Sequence, residues 1–511
     1  MKTLSVEQSR ELDARAIRDA GIPGETLMER AGEGAAVEIL DFAERLRPWN
    51  IRRFVLLAGK GNNGGDAHVV ARVLFERSGA ETAVFSICPI SELKGDALLN
   101  AHRLPAETAL SEGAFPEFRD GDLIIDGLLG TGAKGAPRAP YSAWIEAVNA
   151  ANLPVVSLDI PSGLDGDTGK AAGAAVKADM TVTMAFPKNG LLLGRGPEST
   201  GILRVVDIGI PAEFAGALPS PFDTVTATDV APLLARRPFD AHKRSLGVVL
   251  VVGGSFDYPG APLLSAEAAA KAGAGLVAVA VPRSAEIPPP PNARHLVFRR
   301  VDDDGNGTFS RKSREELIAL AETADALAIG PGLTTAAAAA EAIEPLLELD
   351  KPTILDADAL NLLARGGARF PRNRGNIAAT PHPGEARRLA EWLGVDIDGM
   401  DAIGKAKSLA AAMGTTILLK GPRSVIASAD GSISLNGSGS PALATAGSGD
   451  VLTGIAAAYA AGGASPRRAL EAAAFIHGLA AELSFLGQRG LTADALAEMI
   501  PEAAKTVSPF A

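Results

Sequence analysis

Three observations predict two α/β domains in tandem, each a parallel sheet covered on both faces by helices. The chain has 511 residues, about twice what a single α/β core of about 250 residues organises. Two series of short apolar runs alternate with helical patterns, and the runs lack polar alternation, as strands buried on both faces require. Between the series, over roughly residues 211 to 245, prolines and polar residues replace the alternation.

The first series opens with two helical patterns. VEQSRELDARAIRDAG places Leu12, Ala16 and Ile17 on one face, and Leu27, Ala31, Ala35 and Ile39 recur every four residues. Strand-like runs follow at 54–58, 82–87, 122–126, 155–159, 180–186 and 203–210. The joint is expected near residues 217–224, giving domains at 1–217 and 225–511. The second series runs through 247–254, 275–282, 326–332, 352–360, 376–385 and 415–421. Residues 424–435 place Asp430-Gly431 between two β-prone runs, the signature of a hairpin that would serve as a lid or edge ribbon.

Composition narrows the partners. Apolar residues make up 47% of the chain and aromatics 5%, and 49 basic residues against 60 acidic ones leave a net charge of −11. With no basic block, neither nucleic acid nor an anionic membrane is an expected partner, so anionic ligands must be met locally by helix N-termini and placed lysines. The single Cys88 excludes an intrachain disulfide and a thiolate zinc cluster. The opening MKTLSVEQSRELDARAI has no apolar leader and no stretch is apolar enough to span a bilayer, so the expected location is the cytoplasm.

In the first series, LLAGKGNNGGDAHVVARVL reads as a strand, a Gly-rich turn and a helix beginning near Asp66. Such a turn aims backbone N–H groups at a ligand phosphate. Its glycines fit GxGxxG, but Asn62, Asn63 and Asp66 are surplus to that motif, and the P-loop Lys-Ser/Thr is missing. A tight βα turn with Asn in left-handed geometry fits the loop equally well. Two more strand ends carry oxygen ligands beside glycines: IIDGLLGTGAKGA ends on Asp126, and LDIPSGLDGDTG supplies Asp159 and Ser162. In open α/β sheets ligands bind beyond these ends. Asn63, Asp126 and Ser162 could line a cation site, with Asp159 as a proton-transfer carboxylate; alternatively each Asp caps its turn.

In order, LMERAG (27–32), GKGNNGGD (59–66), DGLLGTG (126–132) and LDIPSGLDGDTG (158–169) resemble the NAD(P)H-hydrate epimerase family, a Rossmann-like three-layer fold, over nearly all of residues 1–215. The resemblance implies that Asn62, Asn63, Gly64, Gly65 and Asp66, with Gly130, Thr131, Gly132, Ala133, Lys134, Gly135 and Ala136, hold the hydrated dinucleotide. It also implies potassium on Asn63, Asp126 and Ser162, and Asp159 as acid/base and substrate contact. Ala67 stands where a further glycine is usual and is expected to narrow the loop.

In the second series, ATAGSGDVLTG (444–454) runs a loop of small residues into an apolar helix. The N–H groups around residues 447–449 form an anion hole, with Asp450 as a first-turn acid facing it. Gly-rich helix starts are common and Asp favours first turns, so the motif by itself is also an ordinary helix start. Its companions are Lys420-Gly421 at a strand end, His382 between prolines, a loop containing Ala261, and the rims IGPGL and LDADALN. Together they read as a ribokinase-like α/β domain with Asp450 as base.

The fuller set, HK, GGSFDYPGAP, IGPGL, LDADALN, TPHPGE, LKG and ATAGSGD in that order, resembles the ADP-dependent NAD(P)H-hydrate dehydratase family across about residues 230–505. The whole chain therefore resembles the bifunctional NAD(P)H-hydrate repair family of bacteria and archaea. That resemblance implies that Lys420, Gly421, Pro422, Arg423, Ser424 and Gly449 contact ADP, and that Ala261, Gly332, His382 and Asp450 contact the hydrate of NADH or NADPH. Magnesium is expected with ADP, but no carboxylate cluster names its ligands. A homo-oligomer of four or more copies is also expected. The departures are Ser448 for Thr, Ala446 for Gly, Ser424 for Thr, Thr334 for Gly, and a varied SPALATAG stretch, all small or polar. The rival reading is a ribokinase-like small-molecule kinase fused to a non-catalytic Rossmann-like binding module.

Overall fold

The computed structural model describes residues 1–46, 49–289, 291, 293–371 and 375–511. The chain divides into two compact units, Met1–Pro221 and Phe222–Ala511.

The first unit is built on seven strands: β1 (Arg53–Ala58), β2 (Glu81–Ser86), β3 (Ala109–Glu112), β4 (Asp122–Gly127), β5 (Val155–Leu158), β6 (Met180–Met184) and β7 (Ile202–Val206). They form one parallel sheet in the order β3-β2-β1-β4-β5-β6-β7. Both faces of β1 are apolar because both are covered. Phe54, Leu56 and Ala58 join one core with the helices Val6–Arg18, Gly24–Arg45 and Asn62–Ser78, while Val55 and Leu57 join another with Trp144 and Ile145. Of the apolar face expected on the first helix, Leu12 and Ala16 are buried, but Ile17 is 47% exposed. The edge strand β3 escaped the sequence reading because ALSE carries almost no apolar signal and is largely exposed. At the amino ends of β1 and β4, Arg53 forks onto Asp122 at 2.9 and 2.6 Å. The glycine loops lie at the opposite ends.

The second unit contains β8 (Asp223–Val225), β9 (Val248–Val252), β10 (Leu276–Pro282), β11 (Val297–Val301), β12 (Ala326–Ile329), β13 (Thr353–Leu355), β14 (Ile377–Ala379), β15 (Thr416–Leu419), β16 (Val425–Ala427) and β17 (Ile433–Asn436). The order is β11-β10-β9-β12-β13-β14-β15-β16-β17-β8, parallel except for the β15-β16-β17 meander. The hairpin is therefore not a free edge ribbon or lid: β17 is covered by β8, which comes from the proline-rich stretch between the two series. The helix Ser448–Ala461 is buried from Val451 to Tyr459 and beyond, and packs on the helix Ala261–Lys271. Gly454 permits that approach, since a methyl there would stand 2.0 Å from Ser265 O.

Chain order reverses at β1/β4 in the first sheet and at β9/β12 in the second. At such switch points the loops leaving adjacent strands diverge and open a crevice beyond the carboxyl ends.

Candidate active sites

At the first switch point the chain after β1 and the chain after β4 touch. Gly59 N donates to Gly127 O at 3.0 Å, and a side chain at Gly59 would collide with Leu128 O. The helix here begins at Asn62, four residues before the expected start near Asp66. Asn62, Asn63 and Gly64 thus form a first turn whose cap, Gly61, offers no side chain, so its N–H groups have no side-chain cap. Gly64 lies against Gly59 O, and Gly65 against the Met28 side chain. Ala67 does not narrow this loop: it is fully buried and its methyl faces Gly127, on the core side of the helix.

Three oxygen-bearing residues converge beside Leu129. Asn63 Nδ2 donates to Leu129 O at 3.0 Å, and Leu129 N donates to Ser162 Oγ at 2.8 Å. Asp126, fully buried, accepts from Ser162 N at 2.9 Å, Ser162 Oγ at 2.5 Å and Ser157 Oγ at 2.8 Å. Desolvation pushes its carboxyl upward, opposed by those hydrogen bonds. Asn63 Oδ1 is buried with no hydrogen-bond partner. An orphaned amide oxygen beside a carboxylate and a hydroxyl is a donor set for a hard cation.

Asp159 leaves β5 at φ +62, a left-handed conformation uncommon for a residue with a side chain. It is ion-paired to Lys188, which the sequence reading did not single out. Asp66 lies close enough to feel Asp159; desolvation holds its carboxyl well above the ordinary range, with repulsion from Asp159 and Asp13 adding to it and Lys188 opposing. The loop 130–136 begins beside Asn63, where a methyl at Gly130 would stand 3.2 Å from its Cβ, and is exposed from Gly132 to Ala136.

In the second unit the loops after β9 and β12 meet. Gly332, at φ +70, has room only for hydrogen: a methyl would stand 2.6 Å from Tyr258 O and 3.3 Å from the Cβ of Ala261, which opens its helix. Gly447, at φ +85, turns the chain into the helix Ser448–Ala461, with no side chain capping it. Asp450 in the first turn has its carboxyl pushed up to about 7 by desolvation and by repulsion from Asp356, with Lys420 opposing.

Lys420 follows β15, and its ammonium lies 2.5 Å from Asp356 Oδ1 after β13. A methyl at Gly449 would stand 3.1 Å from the same Nζ, which places the ammonium against the helix start. His382 caps the helix Pro383–Leu393, accepting from Gly384 N at 2.9 Å through Nδ1. Desolvation, with Lys420 and Arg388 nearby, lowers its pKa and so favours the neutral ring. Glu385 receives His382 N at 2.8 Å and is pushed up to about 7, mainly by desolvation and then by Asp356. Gly421 and Pro422 are exposed, whereas Arg423 is 6% exposed and donates to Gly437 O at 2.7 Å. Ser424 O accepts from Asn436 N at 2.9 Å, which ties the turn to β17.

Asp356, Glu385 and His477 were missed as site residues. The first two lie inside the motifs LDADALN and TPHPGE and end strands or open helices, a signal that could have found them. Buried His477, which hydrogen-bonds Ser448 O at 2.9 Å through Nε2, has no such signal. Among the described residues no group of three or more His, Cys, Asp or Glu side chains is placed to hold a metal ion.

Two family models match the chain: YjeF-related protein N-terminus over residues 24–190, and NAD(P)H-hydrate dehydratase over residues 249–502. A bifunctional NAD(P)H-hydrate repair enzyme of Moorella thermoacetica is 37% identical over 515 residues, covering 98% of this chain and 96% of its own length. The enzyme so named from Coxiella burnetii is 36% identical over 510 residues, covering 98% of both chains. The solved ADP/ATP-dependent NAD(P)H-hydrate dehydratase of Bacillus subtilis, co-crystallized with ATP and Mg2+, is 30% identical and covers 56% of this chain and 99% of its own, with a TM-score of 0.48.

Proposed function

Because the chain belongs to the family of bifunctional NAD(P)H-hydrate repair enzymes, we propose that its two units act in turn on one damaged cofactor, each through the strand-end site described above. The enzyme repairs hydrated NADH and NADPH: the first unit epimerises the R and S hydrates, and the second dehydrates the S epimer with ADP, giving AMP and phosphate. The observation that carries this is a match at 37% identity over 98% of this chain and 96% of the relative's length. The kinase fused to a non-catalytic module is not favoured, since the model matching residues 249–502 is that of the dehydratase.

In the first unit, the uncapped helix start at Asn62 and the loop 130–136 hold the dinucleotide, and Asp159 moves the proton. Potassium would be held by Asn63, Asp126 and Ser162, where it would supply a fixed positive charge to offset an anionic ligand. The orphaned Asn63 Oδ1 supports that assignment.

In the second unit, Ala261, Gly332 and His382 contact the hydrate. Residues 420–424 and Gly449 contact ADP, whose magnesium comes with it. The C6 hydroxyl attacks the terminal phosphorus of ADP, Asp450 takes the hydroxyl proton, and the bond to AMP breaks. The N–H groups of the Ser448 helix start stabilise the charge on the moving phosphoryl group. The C6–O bond then breaks with the push of the ring nitrogen lone pair, phosphate leaves, and loss of the C5 proton restores the double bond. A base with a pKa of about 7 is matched to this task. Cytoplasmic location and assembly of four or more copies complete the reading.

The test is to supply mixed R and S NADH hydrates with ADP, ATP or neither, following dihydronicotinamide absorbance and phosphate. ADP-dependent recovery of the whole mixture with one phosphate per NADH supports both halves. Stable phosphorylation of some other alcohol, with no recovery, overturns the reading.

A further inference from the structure

We propose that Lys188 is the positioning residue for Asp159: it pins one carboxylate oxygen and leaves the other, Oδ2, to exchange the proton. This rests on the reading of Asp159 as the acid/base.

Lys188 lies just beyond β6 and is among the largest fully buried side chains of the molecule. An ammonium taken out of water costs several kcal/mol unless it is paired and hydrogen-bonded. Here it has an acceptor for each of its three hydrogens: Asp159 Oδ1, Thr183 Oγ1 at 3.1 Å and Met184 O at 3.1 Å. The group is therefore fixed in place. Its backbone is fixed as well, since Leu4 pairs with Lys188, Leu4 N donating to Pro187 O at 3.0 Å and Asn189 N to Leu4 O at 2.9 Å.

The contacts on Asp159 are one-sided. Lys188, the Thr183 hydroxyl at 3.3 Å and Met184 N at 3.4 Å all reach Oδ1. Among the described residues nothing donates to Oδ2. The left-handed backbone at Asp159 turns the side chain off the strand, at a cost of about 1 kcal/mol or more. Such a cost suits a site where orientation matters.

The charges around Asp159 come from three elements. Asp159 acts as a like charge on Asp66 of the helix Asn62–Ser78 and on Asp13 of the helix Val6–Arg18, and Lys188 is the cation that opposes it at both. Removing the ammonium takes away the one cation among three carboxyls, and Oδ1 would lose its anchor.

The experiment compares the full-length wild type with Lys188→Gln, Thr183→Val and Asp159→Asn for epimerisation kcat, KM and pH profile, with thermal melting and dehydration as controls. Lys188→Gln should lower kcat by about 10²-fold or more with KM little changed. The pH profile of kcat should move away from that of the wild type, because a charge in contact with the acid/base is gone. A folded Lys188→Gln protein with wild-type kcat and pH profile overturns the proposal. If that variant does not fold, Thr183→Val decides. It keeps the shape and the ammonium but removes the hydroxyl shared by Lys188 and Asp159, and should lower kcat about tenfold with a profile shifted the same way; an unmoved profile overturns the proposal. Retained epimerisation in Asp159→Asn is the separate outcome that sinks the reading of Asp159 itself.

Discussion

Lys420 Nζ stands 2.5 Å from Asp356 Oδ1, while the other oxygen of that carboxylate accepts the Thr453 hydroxyl at 2.7 Å. The lysine assigned to the nucleotide is thus held by a buried acid before any ligand arrives, and the ends of β13 and β15 are tied to the helix that starts at Ser448. The pairing orients the ammonium at the helix start, where phosphoryl charge would gather.

Lys420→Met leaves Asp356, 1% exposed, without its cation. Breaking a buried pair from one side costs about 3 to 5 kcal/mol. Adding Asp356→Asn removes the stranded charge and should restore at least half of that stability in thermal melts. Dehydration should stay at least about tenfold below wild type in both proteins if Lys420 makes the proposed contact with the nucleotide phosphate.

Asp450→Asn should lower dehydration by about 10²- to 10⁴-fold and leave epimerisation within about twofold. Asp159→Asn should do the reverse. Parallel assays of the two activities check this; loss of both activities in either folded variant would show the two sites to be dependent.

Dehydration should be strongly pH-dependent. Asp450 must be ionised to accept a proton, and its carboxyl is raised to about 7. Below that value kcat/KM should fall about tenfold per pH unit, and above it level off. The stability sign is opposite: because the folded state binds the proton more tightly than the unfolded chain, this group lowers stability as pH rises from about 4 to 7. Asp450→Asn should therefore raise the melting temperature relative to wild type at pH 8 and lose that advantage near pH 4.

Potassium should raise the melting temperature of the first unit relative to choline at equal ionic strength, by mass action on the folded state. Ser162→Ala and Asn63→Ala should abolish the difference. An equal response to choline would count against the cation site.

Thr334 sits at φ +69. A β-branched residue is strained there, and its hydroxyl makes only long contacts, 3.3 Å to the Thr308 hydroxyl and 3.5 Å from Ala336 N. Thr334→Gly should stabilise the protein by about 0.5 to 1 kcal/mol in denaturant titrations, with dehydration little changed.

Much of the architecture could be read in advance because it depends on local pattern. Doubly buried parallel strands need unbroken apolar runs, and FVLLA, DLIID and GVVLVVGG announce themselves. The strands that escaped are those without such runs. β3 lies on an exposed edge, β8 has three residues in a proline-rich stretch, and β11 carries Arg299 and Arg300. Each is a strand because a neighbour offers it a ladder.

The sites divide in the same way. Glycine loops, strand-end acids and the Asp450 helix start are local devices whose spacing is visible in the chain, and the motifs GKGNNGGD, LDIPSG and ATAGSGD, ambiguous one by one, pointed to the family through their order and their companions. Which charges meet was decided only in three dimensions. Lys188 is 29 residues from Asp159, and Lys420 is 64 residues from Asp356. Parallel strands all end on one side of the sheet, so residues remote in sequence come together there: Asp159 and Lys188 beyond the neighbouring β5 and β6, Asp356 and Lys420 beyond β13 and β15 on either side of β14. Desolvation there sets the protonation of Asp66, Glu385 and Asp450, a property of the packed crevice that no single segment carries.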